Sequence, residues 1–338
     1  MGEKLLKELI FNIADILPEQ TALRLKKRLV AFRNSSGTLS ERVRSSQDAF
    51  MPSFDRNFKW INRASFSDQV PLFSHTGSMG DILFSLYFCK EFTEHLGLQQ
   101  FDLHIQTGVA DSAMQGHRHP YGNVRITANA AEFMKPLLLC QKYIRNVTCA
   151  DTLPENAIQL DRFRKLKINQ SSGQIQNWYY NLTDLHLPRE FWKPVLHVGA
   201  RDKYRGKVVL SATSRYRNVY IDCNALKPFR EQLVFAGTQE EFNEFSSEFF
   251  DIPRIEADNL LEYAEYFAGT KGFLGNQGGL FSVAECLKIP RILASPEYTV
   301  FKGIPGPGQH VNHPQGGWCE DAATTEKMIA ALKALLNR

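Results

Sequence analysis

A chain of 338 residues with 43% hydrophobic and 22% charged side chains has a soluble globular composition, and it is too long for one ordinary small core, so two domains are expected. Its 40 Lys and Arg against 36 Asp and Glu leave a formal net charge of +4, which excludes a dedicated nucleic-acid binder but suits an anionic ligand or an acidic membrane surface. No apolar run is long enough to span a bilayer, no signal-peptide apolar region is recognisable, and the six cysteines form no C-x-x-C pair; a cytoplasmic protein with buried, reduced thiols is expected.

Residues 4–33 read as two amphipathic helices. Leu5, Leu6, Leu9, Ile10, Ile13, Ile16 and Leu17 recur at helical spacing until Pro18, and LRLKKRLVAFR then sets Arg24, Lys26, Lys27, Arg28 and Arg33 around Leu23, Leu25, Leu29 and Phe32. Such a basic helix lies on an anionic membrane, or it packs on the protein's own body or on a second subunit. A polar linker follows to residue 67. From residue 68 the chain alternates strand, turn and helix: QVPLFSH, LFSLYFCKEFTEHLG, FDLHIQT, the loop GVADSAMQGHRHPYGN, a short extended VRITA, the helix AAEFMKPLLLCQ and YIRNVTCA. After a less regular stretch to residue 195, the alternation resumes with KVVLSAT, a weakly helical LKPFREQ, LVFAGT, EEFNEFSSEFF, the strand PRIEA, NLLEYAEYFAGT, KGFLG, GGLFSVAECLKI and PRILAS. A Gly/Pro-rich loop leads to the last helix, DAATTEKMIAALKALLNR. Strands alternating with helices predict parallel sheets covered on both faces, hence two Rossmann-like domains at 68–195 and 196–338 facing a cleft.

Four stretches carry candidate chemistry. In SHTGSMGD, Gly77, Ser78 and Gly80 form a Gly-rich turn, and Asp81 stands on the first turn of the next helix. An acid there stabilises a helix start, yet the place is also the mouth of a sheet, where ligands bind. GNQGG supplies Asn276, Gln277, Gly278 and Gly279 at another strand-to-helix turn, where free N–H groups suit a phosphate. SRYRN supplies Ser214, Arg215 and Arg217 at the carboxyl end of a strand, and paired arginines match diphosphate oxygens. Glu241 in FAGTQEEF is either a helix-start acid or a ribose ligand. In the loop after FDLHIQT, His117 and Arg118 are candidates to touch an acidic substrate across the cleft. The histidines and cysteines lack metal-ligand spacing, so no metal or other cofactor is expected.

With these pieces in view, TGSMGDILFSL resembles the N-terminal motif of glycosyltransferase family 9, the ADP-heptose:lipopolysaccharide heptosyltransferase-like enzymes, whose fold is GT-B. SRYRN, FAGTQEEFNEF and GNQGGLFSVAECLKIPRIL resemble a bacterial branch of GT-B-like proteins with a GNQS turn, as do EFMKPLLLCQKYIRNV and LDRFR in the first half. The resemblance spans about residues 70–320 and leaves the first 67 aside. It implies Asp81 as catalytic base, Arg215 and Arg217 on the donor's diphosphate, Glu241 on the nucleoside, and Asn276, Gln277 and Gly278 at the donor-side turn. One departure stands out: Gly278 replaces the Ser of GNQS.

The resemblance implies an inverting, metal-independent glycosyltransferase. It would move a sugar from a nucleotide-sugar donor to a bacterial surface glycan or its lipid-linked precursor, with Asp81 and the donor site meeting on cleft closure. Residues 4–33 would hold it at the inner membrane or build a homo-oligomer. Two alternatives remain: a non-catalytic GT-B-like module that binds a glycan or nucleotide, and a sugar-nucleotide epimerase.

Overall fold

The computed structural model describes residues 61, 69–110, 121–166, 175–213, 218, 221–294, 298–301, 304–307 and 316–338. The helices expected at 4–33 lie outside the described residues, as does the linker apart from Ile61, which is buried and bridges to Thr183.

The first half builds a sheet from β1 (Leu72–His75), β2 (Phe101–Gln106), β3 (Ile144–Ala150) and β4 (Ile158–Gln159), all parallel and ordered β3-β2-β1-β4. Helices α1 (Met79–His95) and α2 (Ala128–Leu139) make the crossovers, and a 3-10 turn at Leu160–Lys165 leads from β4 towards α3 (Ile175–Tyr180). Central β1 carries Phe73, fully buried, whose ring meets those of Phe88, Phe92 and Phe101 edge-on at 5.3–6.2 Å. The run ILFSLYFC is apolar on nearly every side because α1 is covered on nearly every side, and it is buried from Ile82 to Cys89. The helix starts at Met79, which puts Asp81 on its first turn as the sequence reading had it. VRITA supplies only an antiparallel bridge between Val124 and Ala110.

The second half repeats the pattern with β5 (Val208–Ser211), β6 (Leu233–Phe235), α4 (Gln239–Glu248), α5 (Leu260–Gly269), β7 (Gly272–Gly275), α6 (Gly279–Leu287) and β8 (Arg291–Leu293). A β9 (Tyr298–Phe301) and β10 (Ile304–Pro307) antiparallel hairpin follows, then β11 (Cys319–Asp321) and α7 (Thr325–Leu336). The sheet is parallel in the order β11-β8-β7-β5-β6. The weakly helical reading of LKPFREQ holds, and two other expectations are corrected. LKPFREQ lies in a 3-10 helix, Cys223–Gln232, with Pro228 inside it. PRIEA forms one bridge rather than a strand, since only Pro253 and Ile255 exchange hydrogen bonds with Phe235. The last helix begins at Thr325, capped by the Thr324 hydroxyl, because Cys319–Asp321 extends the sheet instead.

The largest apolar cluster runs from Phe73 through Phe191 to Phe281 and Leu293, so both halves share it. Helices α1 and α6 pack together, as do α2 and α5, where the Phe133 and Tyr263 rings lie 6.2 Å apart. The connecting segment is fastened as well: the N–H groups of Val195 and Leu196 both donate to the Cys286 carbonyl. All six cysteines are free thiols; Cys89, Cys223 and Cys286 are buried as expected, whereas Cys140 is exposed and Cys149 and Cys319 are half-buried.

Candidate active site

Strand β1 ends at His75 in the middle of the sheet, and Thr76-Gly77-Ser78 turns the chain into α1. The Gly77 N–H donates to His75 Nδ1 at 2.7 Å, which assigns the ring proton to Nε2. Nε2 therefore donates to the Tyr179 hydroxyl at 2.8 Å, and that hydroxyl donates to the Asp81 carbonyl at 2.9 Å. Burial holds the His75 ring below its ordinary pKa and so keeps it neutral, although the nearby Asp161 and Asp81 pull the other way. Gly77 is required here: a Cβ would lie 2.4 Å from His75 Cε1 and 2.7 Å from Asp81 Oδ2.

The 3-10 turn after β4 brings a second acid to the same mouth, because β4 is the strand beside β1. Asp161 Oδ2 accepts from the Thr76 N–H at 2.6 Å, and Oδ1 lies 3.3 Å from Arg164 Nε and 3.6 Å from Arg125 Nη1. Arg164 Nη2 in turn donates to Asp81 Oδ2 at 3.0 Å. Arg125 also donates to the Thr76 hydroxyl at 3.0 Å. Burial pushes the Asp161 carboxyl up, but Arg164 and the Thr76 N–H pull it down, and the net direction is below the usual carboxylate range. The N–H groups of Thr76 and Gly77 are thus taken by the protein's own groups. This turn presents a held carboxylate rather than an open anion cradle.

Asp161, Arg164, Arg125, Tyr179 and His75 received no role from the sequence. The sole signal was the acid-to-arginine spacing of three in LDRFR, which puts Asp161 and Arg164 on one side of a tight turn.

On the second sheet β5 and β7 are neighbours, so the carboxyl end of β5 at Ser211 lies beside the GNQGG turn. Asn276 joins them: its Oδ1 accepts from the Thr213 N–H at 3.2 Å and its Nδ2 donates to the Thr213 carbonyl at 2.7 Å. Gln277 is buried beside it. Ser214, Arg215 and Arg217 lie outside the described residues, and so do His117 and Arg118. Gly278 is the N-cap of α6 in extended conformation, and a Cβ there would meet nothing within 4 Å. The Ser of the related motif would therefore fit.

The two helix starts abut. A Cβ on Gly80 would stand 2.7 Å from Ser282 Oγ, and one on Gly279 would stand 2.6 Å from Met79 Sδ. The turn bearing Asp81 thus already touches the helix that GNQGG opens, without further closure.

Glu241 serves a capping box on α4, its carboxylate accepting from the Thr238 N–H at 2.8 Å while the Thr238 hydroxyl accepts from the Glu241 N–H at 3.2 Å. Burial raises the Glu241 carboxyl above its ordinary pKa. Tyr121, from the first half, is pushed up to about 12 by burial and by Glu241. Among the described residues no three His, Cys, Asp or Glu side chains converge as a metal-ligand set.

The AECLKIPRIL segment forms a buried ionic clamp. Glu285 and Arg291, both fully buried, pair at 2.5 Å, Lys288 joins the same carboxylate, and Arg291 Nη2 donates to the Gly316 carbonyl at 2.9 Å.

No protein-family model matches the chain, and no curated protein matches its sequence. Solved structures do match it. A family 9 glycosyltransferase from Veillonella parvula aligns over 80% of this chain and 98% of its own, at 10% identity and a TM-score of 0.50. The E. coli heptosyltransferase WaaC with ADP aligns over 79% and 100%, at 12% identity and a TM-score of 0.48. The E. coli dodecameric, iron-containing heptosyltransferase TibC in complex with ADP-D-beta-D-heptose aligns over 80% and 78%, at 13% identity and a TM-score of 0.48. The likeness to the first of these fixes the fold: two parallel α/β halves in the GT-B arrangement, like family 9, as the motifs implied.

Proposed function

We propose that the chain is a glycosyltransferase that moves a sugar from a nucleotide-sugar donor to a bacterial surface glycan or lipid-linked precursor, with inversion at the anomeric carbon. The observation that carries this reading is the placement of Asp81: a partly exposed carboxylate at the mouth of the first sheet, on the helix start whose Met79 and Gly80 abut the helix opened by GNQGG. One oxygen, Oδ2, is tied to Arg164; Oδ1 has no hydrogen-bond partner among the described residues.

In this mechanism the acceptor O–H gives its proton to Asp81 Oδ1 while its oxygen bonds to the anomeric carbon. The bond from that carbon to the diphosphate oxygen breaks, and the nucleoside diphosphate leaves with the electron pair. Arg215, Arg217 and the N-terminus of α6 receive the growing negative charge, so this route calls on no metal. Related proteins bind ADP or an ADP-sugar, which puts ADP-sugars first among the donors to try. The basic helices expected at 4–33 would bring the enzyme to an anionic membrane or to a second copy. Removing residues 1–34 and measuring liposome binding beside oligomeric mass separates these two roles.

The test is a thermal-shift panel of ADP, UDP, GDP, CMP and their common sugar conjugates, on wild type and Arg215→Ala. A nucleotide at 100 times its Kd adds about 2.7 kcal/mol, enough to raise the melting point by several degrees. A shift for one nucleotide that Arg215→Ala abolishes is the expected result. No shift with any of them would overturn the donor assignment and leave a glycan-binding module.

A further inference from the structure

We infer that Arg164 is a positioning residue that aims the Asp81 carboxylate at the acceptor hydroxyl; the inference rests on the glycosyltransferase reading above. The main chain of Asp81 is fixed by the first turn of α1 and by the Tyr179 hydroxyl on its carbonyl. Its side chain is held differently: among the described residues the Arg164 guanidinium is its sole hydrogen-bond partner. That guanidinium is itself locked. Nε lies 3.3 Å from Asp161 Oδ1, the plane sits over the Phe163 ring at 4.7 Å, and Asp161 is anchored by the Thr76 N–H at 2.6 Å. Rigidity passes from the turn through Asp161 and Arg164 to one oxygen of Asp81, leaving the other turned out of that grip.

A purely structural ion pair needs no second arm. Asp161, which also faces Arg125, already holds Arg164 and ties the 3-10 turn to the end of β1 through the Thr76 N–H, and the guanidinium reaches on to the one carboxylate assigned to proton transfer. Both partners are partly exposed, with side-chain exposures of 30% for Arg164 and 22% for Asp81, so the pair lies at a surface a substrate can reach. The planar fork is what allows both contacts at once; a lysine ammonium on a flexible stem cannot reproduce two directed N–H bonds along these lines. Loss of aim by about 1 Å costs on the order of 10²-fold in rate.

The test uses the full-length chain and release of nucleoside diphosphate from ADP-glucose, UDP-glucose, UDP-N-acetylglucosamine and GDP-mannose, with water or a supplied glycan as acceptor. Arg164→Ala is expected to lower kcat by about 10²-fold and Arg164→Lys by about 10-fold, while donor KM and the nucleotide-induced melting shift stay within about twofold. Added guanidinium ion is expected to restore part of the Arg164→Ala rate, which a merely structural role would not allow. If Arg164→Ala does not fold, Arg164→Lys decides by the same split. Variants that keep kcat within about threefold of wild type, while Asp81→Asn is inactive, overturn the inference and leave the glycosyltransferase reading standing. An active Asp81→Asn, or a wild type that turns over none of the four donors, overturns that reading and the inference with it.

Discussion

Gly77 and His75 make one unit with Asp81, and each constrains the next. A methyl group at Gly77 would press on both the His75 ring and the Asp81 carboxylate. Gly77→Ala should therefore cost about 1–3 kcal/mol by overpacking and displace the carboxylate, lowering the melting point and the turnover together. His75 gives the site a pH signature. Its folded pKa is held below the unfolded value of about 6.5, so below that pH the unfolded chain takes up a proton that the folded chain refuses. Stability should begin to fall as pH drops through about 6.5, and His75→Asn should show a smaller melting-point loss between about pH 7 and 5.5 than wild type. Asp161, whose folded pKa is depressed, adds its loss only further down, below about pH 4. The sequence put Asp81 at this mouth because a Gly-rich turn between strand and helix is legible from neighbours in the chain. It could not show Asp161 and Arg164, which arrive from 80 residues away by way of β4, a strand only two residues long.

At the scale of elements, α4 and α6 carry the two donor-side assignments that local helix chemistry also explains. Glu241 closes a capping box, and Gln at the same position closes one too. Glu241→Gln should thus leave the melting point within about 1 °C of wild type, and any loss of nucleotide-induced shift then reports a ligand contact rather than a broken cap. Thr238→Ala is the contrasting variant, expected to cost about 1 kcal/mol. Gly278→Ser meets open space and adds a capping hydroxyl to α6; it should stabilise by a few tenths of a kcal/mol and leave donor binding intact or stronger. Most elements were legible because strand and helix runs here are short, apolar and punctuated by Gly or Pro. PRIEA misled because its alternation is that of a strand while Pro253 offers no N–H and only one bridge forms. The final helix misled at its start because DAATTEK contains several residues that favour helix starts, and only the ladder of β11 on β8 decides among them.

Across the whole molecule the two halves are joined by more than a linker. Helix α1 lies on α6 and α2 on α5, and one apolar cluster passes through both pairs. The main calorimetric unfolding of the chain should therefore be a single transition, and two resolved transitions for the halves would contradict this shared core. Glu285→Ala would leave Arg291 buried without its carboxylate and should lower stability by about 3–5 kcal/mol, read as a denaturant midpoint shift. The same union sets the start of α1, at Met79 and Gly80, against the start of α6 in the folded state. The most direct measurement is release of nucleoside diphosphate by Asp81→Asn, taken beside its nucleotide-induced melting shift. If Asp81 is the base, the variant keeps the shift and loses turnover by at least about 10²-fold. Turnover within about threefold of wild type would contradict that role and return Asp81 to starting a helix.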